Sequence, residues 1–345
     1  MTVKPNPLWQ LTLCRFREFA REPEVIFWVF GFPLLLAVGL GIAFRDRPPE
    51  KVLVAVVSHP EARMIVEQLQ KIPGVSAELQ DSQKAMSSLR LGKVALVVAL
   101  GNGYEYRYDP TRPDCLLARS TVDAALQNAA GRQNPVKTTD KAITEPGARY
   151  IDFLIPGLLG MNLMGGGMWG IGFVIVDMRI KKLLKRMIAT PMRKSDFMLA
   201  MILSRLVFMV LEVVLLLLVG RFVFGMIIQG SVLSIIAVAF FGSMCFTGMG
   251  LFVASRAQKI ETVSGLMNLV MLPMYVVSGV FFSAERFPKI LQPYIEALPL
   301  TALNDALRSV ILEGARLSSQ ASHLAILALW GSVSFLLALR WFRWS

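Results

Sequence analysis

The sequence predicts an α-helical polytopic membrane protein. It should have six transmembrane helices, an interfacial helix at the N-terminus, and a small α/β extracytoplasmic domain between spans 1 and 2. Three observations carry that prediction. Of the 345 residues, 54% are hydrophobic, and the mean hydropathy of +0.55 exceeds that of soluble globular chains. Apolar runs of about 20 residues, the length that crosses a bilayer, recur along the chain. The net charge of +12 gathers beside those runs instead of along one soluble face, which is a membrane distribution and argues against a nucleic-acid partner.

Residues 1–23 form the first element. Trp9, Leu13, Phe16 and Ala20 recur at helical spacing with Arg15, Arg17, Glu18 and Arg21 elsewhere, so an amphipathic helix is expected to lie in the interface until Pro23 ends it. Residues 24–44 are apolar and long enough to span. The leader before them is long and acidic as well as basic, so this run reads as an uncleaved anchor and not as a signal peptide. Residues 45–149 change to a soluble composition. Short apolar strand patterns at 52–57, 75–79, 94–100 and 104–108 alternate with helical patterns at 60–70, 81–91 and 113–130, which implies an α/β domain. His59, the only histidine there, reads as a turn residue.

Residues 150–345 should hold the other five spans. Residues 150–176 begin them, rich in glycine and containing a GxxxG at Gly166 and Gly170. Spans at 201–219, 232–254, 262–282 and 323–339 follow, the fifth broken at Pro273. Between spans 2 and 3, residues 177–196 read DMRIKKLLKRMIATPMRKSD. Ile180, Leu183, Leu184, Met187 and Ile188 keep helical spacing, with Arg179, Lys182, Lys185 and Arg186 largely on the other side, so a helix is expected over 177–190. So dense a basic loop resists translocation and should stay in the cytoplasm. It suits either a rigid handle for a cytoplasmic partner or an ordinary positive-inside loop touching anionic lipid.

The N-terminus, the 255–261 loop and the C-terminus are basic too, which places both ends in the cytoplasm and residues 45–149 outside. The outer loop 283–322 carries Phe287, Ile290, Leu291, Tyr294, Ile295 and Leu298, a pattern suited to a re-entrant segment over 283–300. Glu212 lies near the middle of the third span with Arg205 two turns earlier. A charge at that depth must face protein or water, so it reads as a structural pair or as a substrate or gating group. Glu212, Asn162, Phe287 and Tyr294 are the candidate pathway and gate residues.

Catalytic signatures are missing. No GxxxxGK[ST], GxSxG or HExxH occurs, and Cys14, Cys115 and Cys245 fall in three regions without ligand spacing. Neither an inverted repeat, as a secondary transporter would show, nor a catalytic constellation in 50–149, as a membrane-anchored enzyme would need, is found. An ATP-independent transporter or an anchored receptor with an outer ligand domain remains the alternative.

Four stretches carry a family resemblance: FREFAREPEVIFWVFGFPLLL, VAVVSHPEARMIVEQLQ, KRMIATPMRKSDFMLAMILSRL and SGVFFSAERFPKILQPYIEALPLTALNDALRSVILEG. The chain resembles the permease subunit of type-2 ABC exporters, the group with a large extracytoplasmic domain after the first span. The resemblance implies export of a hydrophobic or amphipathic drug, lipid or glycan from a bacterial inner membrane. It also implies a coupling helix, with Arg179, Lys182, Lys185, Arg186, Thr190 and Pro191 contacting a separate cytoplasmic ATPase present in two copies. That ATPase would bind ATP and magnesium, while this chain would bind no cofactor. Membrane lipids and a second permease copy or close paralogue complete the expected partners. In the family an acidic residue and Gly-Thr-Leu often precede the Thr-Pro; here Lys182-Leu183-Leu184 stands near that place, and Asp177 is the nearest upstream acid.

Overall fold

The computed structural model describes residues 7–44, 52–72, 74–101, 103–132, 149–188 and 194–341. It divides into two units, Met1–Arg45 with Thr144–Ser345, and Asp46–Ile143. The first opens with helix α1, Pro7–Arg21. Six helices in it are long and apolar enough to cross a membrane: Pro23–Ala43, Tyr150–Ile180, Leu199–Phe222, Val232–Ala254, Ile260–Val277 and Leu317–Trp341. They are called spans 1 to 6.

The second unit is a small mixed sheet with helices. Strands β1 (Val52–Val57), β2 (Val75–Gln80), β3 (Leu96–Leu100) and β4 (Tyr104–Arg107) lie in the order β2-β1-β3-β4. β1 runs parallel to β2 and β3, in register Val52 to Val75 and Val54 to Leu96, and β4 closes the edge antiparallel to β3. Helices α2 (Ala62–Gln70), α3 (Ser82–Arg90) and α4 (Pro113–Ala129) cover it. Successive side chains alternate across a strand, so two cores form. Val54, Val56, Leu96 and Val98 pack with Ile65, Leu69, Cys115 and Val122, while Ala55 and Val97 pack with Ala85 on the other face. Both faces being covered explains why the two central strands, β1 and β3, read as continuous apolar runs.

In the first unit, span 4 packs against spans 2 and 6. Lipid tails are as apolar as leucine, so helices in a membrane gain chiefly from close backbone approach. A Cβ on Gly250 would stand 2.9 Å from the Gly167 carbonyl oxygen, and one on Gly248 would stand 2.8 Å from that of Gly331. The GxxxG glycines behave differently from that expectation. Gly166 faces the Arg205 guanidinium and Gly170 opens on empty space, whereas Gly167 and Gly172 make the helix contact with Gly250. Spans 1 and 6 show leucine and isoleucine outward, including Leu35, Ile42 and Leu336, as a lipid-facing surface requires.

Three further expectations change. Span 5 passes through Pro273 without a break and ends at Val277. The chain turns instead at Gly279, whose φ of +72° lies in the left-handed region that glycine enters without a Cβ clash. The single helix expected over 177–190 is two pieces. Span 2 runs on to Ile180, Lys182 adopts φ +56°, and a separate short helix α5 covers Leu183–Ile188. Past the fifth span, the expected segment 283–300 holds a turn at Ala284–Arg286 and α6 (Gln292–Glu296), and then enters α7 (Pro299–Glu313), which extends well beyond it.

Candidate functional site

The basic side chains converge where span 2 ends. Arg179 does not point freely outward. Its guanidinium donates to the carbonyls of Ala254 at 2.9 Å, Ala257 at 2.5 Å and Ser255 at 3.3 Å. Those carbonyls are at the end of span 4, where a helix leaves its last acceptors unfilled and its dipole favours a cation. Arg179 thus ties the start of the basic stretch to the central span. Asp177 meets Lys181 at 2.8 Å and raises that ammonium above its usual value, with smaller contributions from Glu18 of α1 and from Glu22 just past its end.

Beyond that tie, the chain reverses at Lys182 and α5 begins. Leu184 is 1% exposed and anchors α5 to the core, whereas Lys182, Lys185 and Arg186 are exposed. The structure therefore separates four residues that the sequence grouped: Arg179 is a structural cap, and the other three form a charged outer edge. Thr190 and Pro191 lie outside the described residues.

Helix α1 lies beside this edge. Phe16 and Phe19 place their rings 5.0 Å and 4.2 Å from that of Phe208 in span 3. The face it turns to the protein includes Leu8, Leu11, Thr12, Phe16 and Phe19, while Trp9 is 62% exposed. Between α1, α5 and span 3 runs a groove of about 610 Å³, with Arg15, Arg17 and Arg21 on one wall and Leu183, Phe197 and Met201 among the others.

Deeper in the first unit, two polar pairs replace water. Glu212 is 1% exposed and meets Arg205 through both oxygens, at 2.5 Å and 3.0 Å. Arg205 also donates to the Leu163 carbonyl at 3.3 Å. Asn162 donates to the Val29 carbonyl at 3.0 Å. Val29 lies in a π-helical turn, Phe27–Gly31, where the usual i to i+4 ladder is interrupted, so the amide supplies a donor that the helix does not. Asn162 and Glu212 are in different contacts.

At the opposite end, Phe287 has its ring 6.0 Å from that of Phe282, and Gln292 donates to the Ala284 and Phe287 carbonyls at 2.9 Å and 3.0 Å. Tyr294 is 74% exposed and does not join them. Three residues that sequence reasoning missed hold this end together. Asn304 donates to the Ser278 carbonyl at 2.7 Å, and Trp330 of span 6 donates to the Ala297 carbonyl at 2.9 Å. Arg308 lies 3.7 Å over the Phe153 ring and donates to the Gly279 carbonyl. A cation on an aromatic face beside a positive-φ glycine is a tertiary signal; no spacing in the sequence encodes it.

Known proteins are similar to this chain in sequence. The chain is 20% identical over 370 residues to the linearmycin resistance permease protein LnrN of Bacillus subtilis, covering 94% of this chain and 96% of that one. It is 26% identical over 224 residues to ABC transporter G family member 20 of Dictyostelium discoideum, covering 64% of this chain and 30% of that one. The match thus spans under a third of the Dictyostelium protein. The model of the ABC-2 family transporter proteins matches residues 23–340, from the first span to the last, and the chain belongs to that family.

Proposed function

We propose that this chain is the membrane-spanning permease subunit of an ATP-driven exporter, coupling hydrolysis by a separate ATPase to movement of a hydrophobic or amphipathic substrate. One observation carries the reading. The exposed edge Lys182–Lys185–Arg186 is fixed to the transmembrane core through Arg179, which caps span 4, and through buried Leu184. A force applied to that edge would reach spans 2 and 4 together. The ATPase would hold the ATP and magnesium, in two copies, beneath a pair of permease chains. The α1–α5 groove with its arginines extends the same docking surface.

The basic loops support a cytoplasmic position for this end and both termini, which would leave the α/β unit on the outer side of a bacterial inner membrane. LnrN is named for linearmycin resistance, which favours a drug over a glycan as cargo. The test is ATP hydrolysis by the reconstituted permease and ATPase across a panel of drugs, lipids and glycans. A cargo class that raises turnover several-fold only when this chain is present supports the reading. Turnover indifferent to this chain and to every cargo contradicts it.

A further inference from the structure

The groove between α1, α5 and span 3 joins two kinds of surface. One wall carries arginines, and the others are hydrocarbon, with Leu183, Phe197 and Met201 among them. Two carboxylates line it as well. Glu18 is held by Arg15 at 2.7 Å, and Glu22 acts on the Lys181 ammonium just past span 2. Arg17 and Arg21 are exposed and, among the described residues, make no ion pair. They lie one helical turn apart on α1, so their Cβ atoms are about 5–6 Å apart and both guanidiniums can reach one phosphate.

The depth of the groove selects its ligand. Helix α1 ends at Arg21 and span 1 begins at Pro23, while span 2 ends at Ile180 and span 3 begins at Leu199. The lining therefore gathers where three spans leave the membrane, at the level of lipid headgroups. An inorganic anion would use the arginines and leave the apolar walls wet. A purely apolar molecule would leave two cations without a counter-ion. An amphiphile with an anionic head uses both surfaces, and a basic pocket between membrane helices suits such a head. A volume of about 610 Å³ accommodates the headgroup and the upper part of its chains.

We propose that this groove seats one anionic phospholipid, its phosphate between Arg17 and Arg21 and its chains against Leu183, Phe197 and Met201. The site belongs to this chain alone and leaves the outer edge of α5 free. Cys14 supplies the probe, because it lines the groove and is exposed while Cys115 and Cys245 are buried. The test uses the full-length permease, delipidated in a neutral detergent. Phosphatidylglycerol should slow the reaction of Cys14 with a water-soluble maleimide about fivefold or more, and native mass spectrometry should find one such lipid retained per chain. Phosphatidylcholine, inorganic phosphate and the deacylated headgroup glycerophosphoglycerol should do neither. Arg17→Gln with Arg21→Gln should raise the lipid concentration needed for protection roughly thirtyfold, and Arg17→Lys with Arg21→Lys should recover part of it. Lys185→Gln with Arg186→Gln, on the neighbouring edge, should raise it by no more than about twofold.

Equal protection by phosphatidylcholine would overturn the anionic head, and equal protection by inorganic phosphate would reduce the groove to a plain anion site. Equal losses in the α1 and α5 variants would mean diffuse attraction and overturn a seated lipid. Unchanged protection in the α1 glutamine variant, eluting as folded protein, would overturn the two arginines as its holders. Loss of ATPase co-purification by that variant with lipid protection unchanged would give the groove to the ATPase instead.

Discussion

Glu212 and Arg205 sit two turns apart on span 3, both buried, with the Leu163 carbonyl as a further acceptor for the guanidinium. Burial of a charge is tolerated when the partner is held this closely, and removing one partner strands the other at about 3–5 kcal/mol. Glu212→Gln or Arg205→Met alone should therefore lower the amount of folded protein in the membrane sharply. The double replacement Arg205→Met with Glu212→Leu should restore it, and export with it. Folded protein without export from the double variant would make the pair part of the pathway. Gly166→Val should act like the single variants, because a side chain there occupies the space of the guanidinium. The sequence shows the pair, since two opposite charges seven residues apart inside an apolar run need each other. It does not show that Gly166 makes room for them.

Among the elements, the basic stretch shows the limits of pattern reading. Ile180 on one side of Lys182 and Leu183, Leu184, Met187 and Ile188 on the other keep helical spacing, so periodicity continues where the backbone does not. The break at Lys182 depends on a left-handed conformation that costs a lysine roughly 1–2 kcal/mol and leaves no trace in hydrophobicity. Lys182→Val should destabilise this turn by more than that amount, while Lys182→Gly should not, as read by thermal unfolding of the purified permease in detergent. Arg179→Ala should cost about 1.5–3 kcal/mol in the same assay through lost charged hydrogen bonds to the end of span 4. Arg179→Lys should recover part of it. Spans and strands were more legible, because a run of apolar residues long enough to cross a bilayer has few other uses. The contacts of Asn162, Arg308 and Trp330 were not, since each depends on which carbonyl a distant segment brings near.

At the scale of the whole molecule, orientation rests on where the lysines and arginines gather. A cysteine placed at Ser82 or Gln292 should react with an impermeant thiol reagent from outside intact cells, and one at Ser195 should not. Labelling at Ser195 would reverse the topology. The central claim is that a separate ATPase works on the outer edge of α5, and charge reversal there tests it most directly. Lys182, Lys185 and Arg186 are exposed, so replacing all three by Glu should leave membrane insertion and folding intact. Co-purification of the ATPase and ATP-dependent transport in vesicles should both fall at least tenfold. Full transport by the folded triple variant would contradict the account.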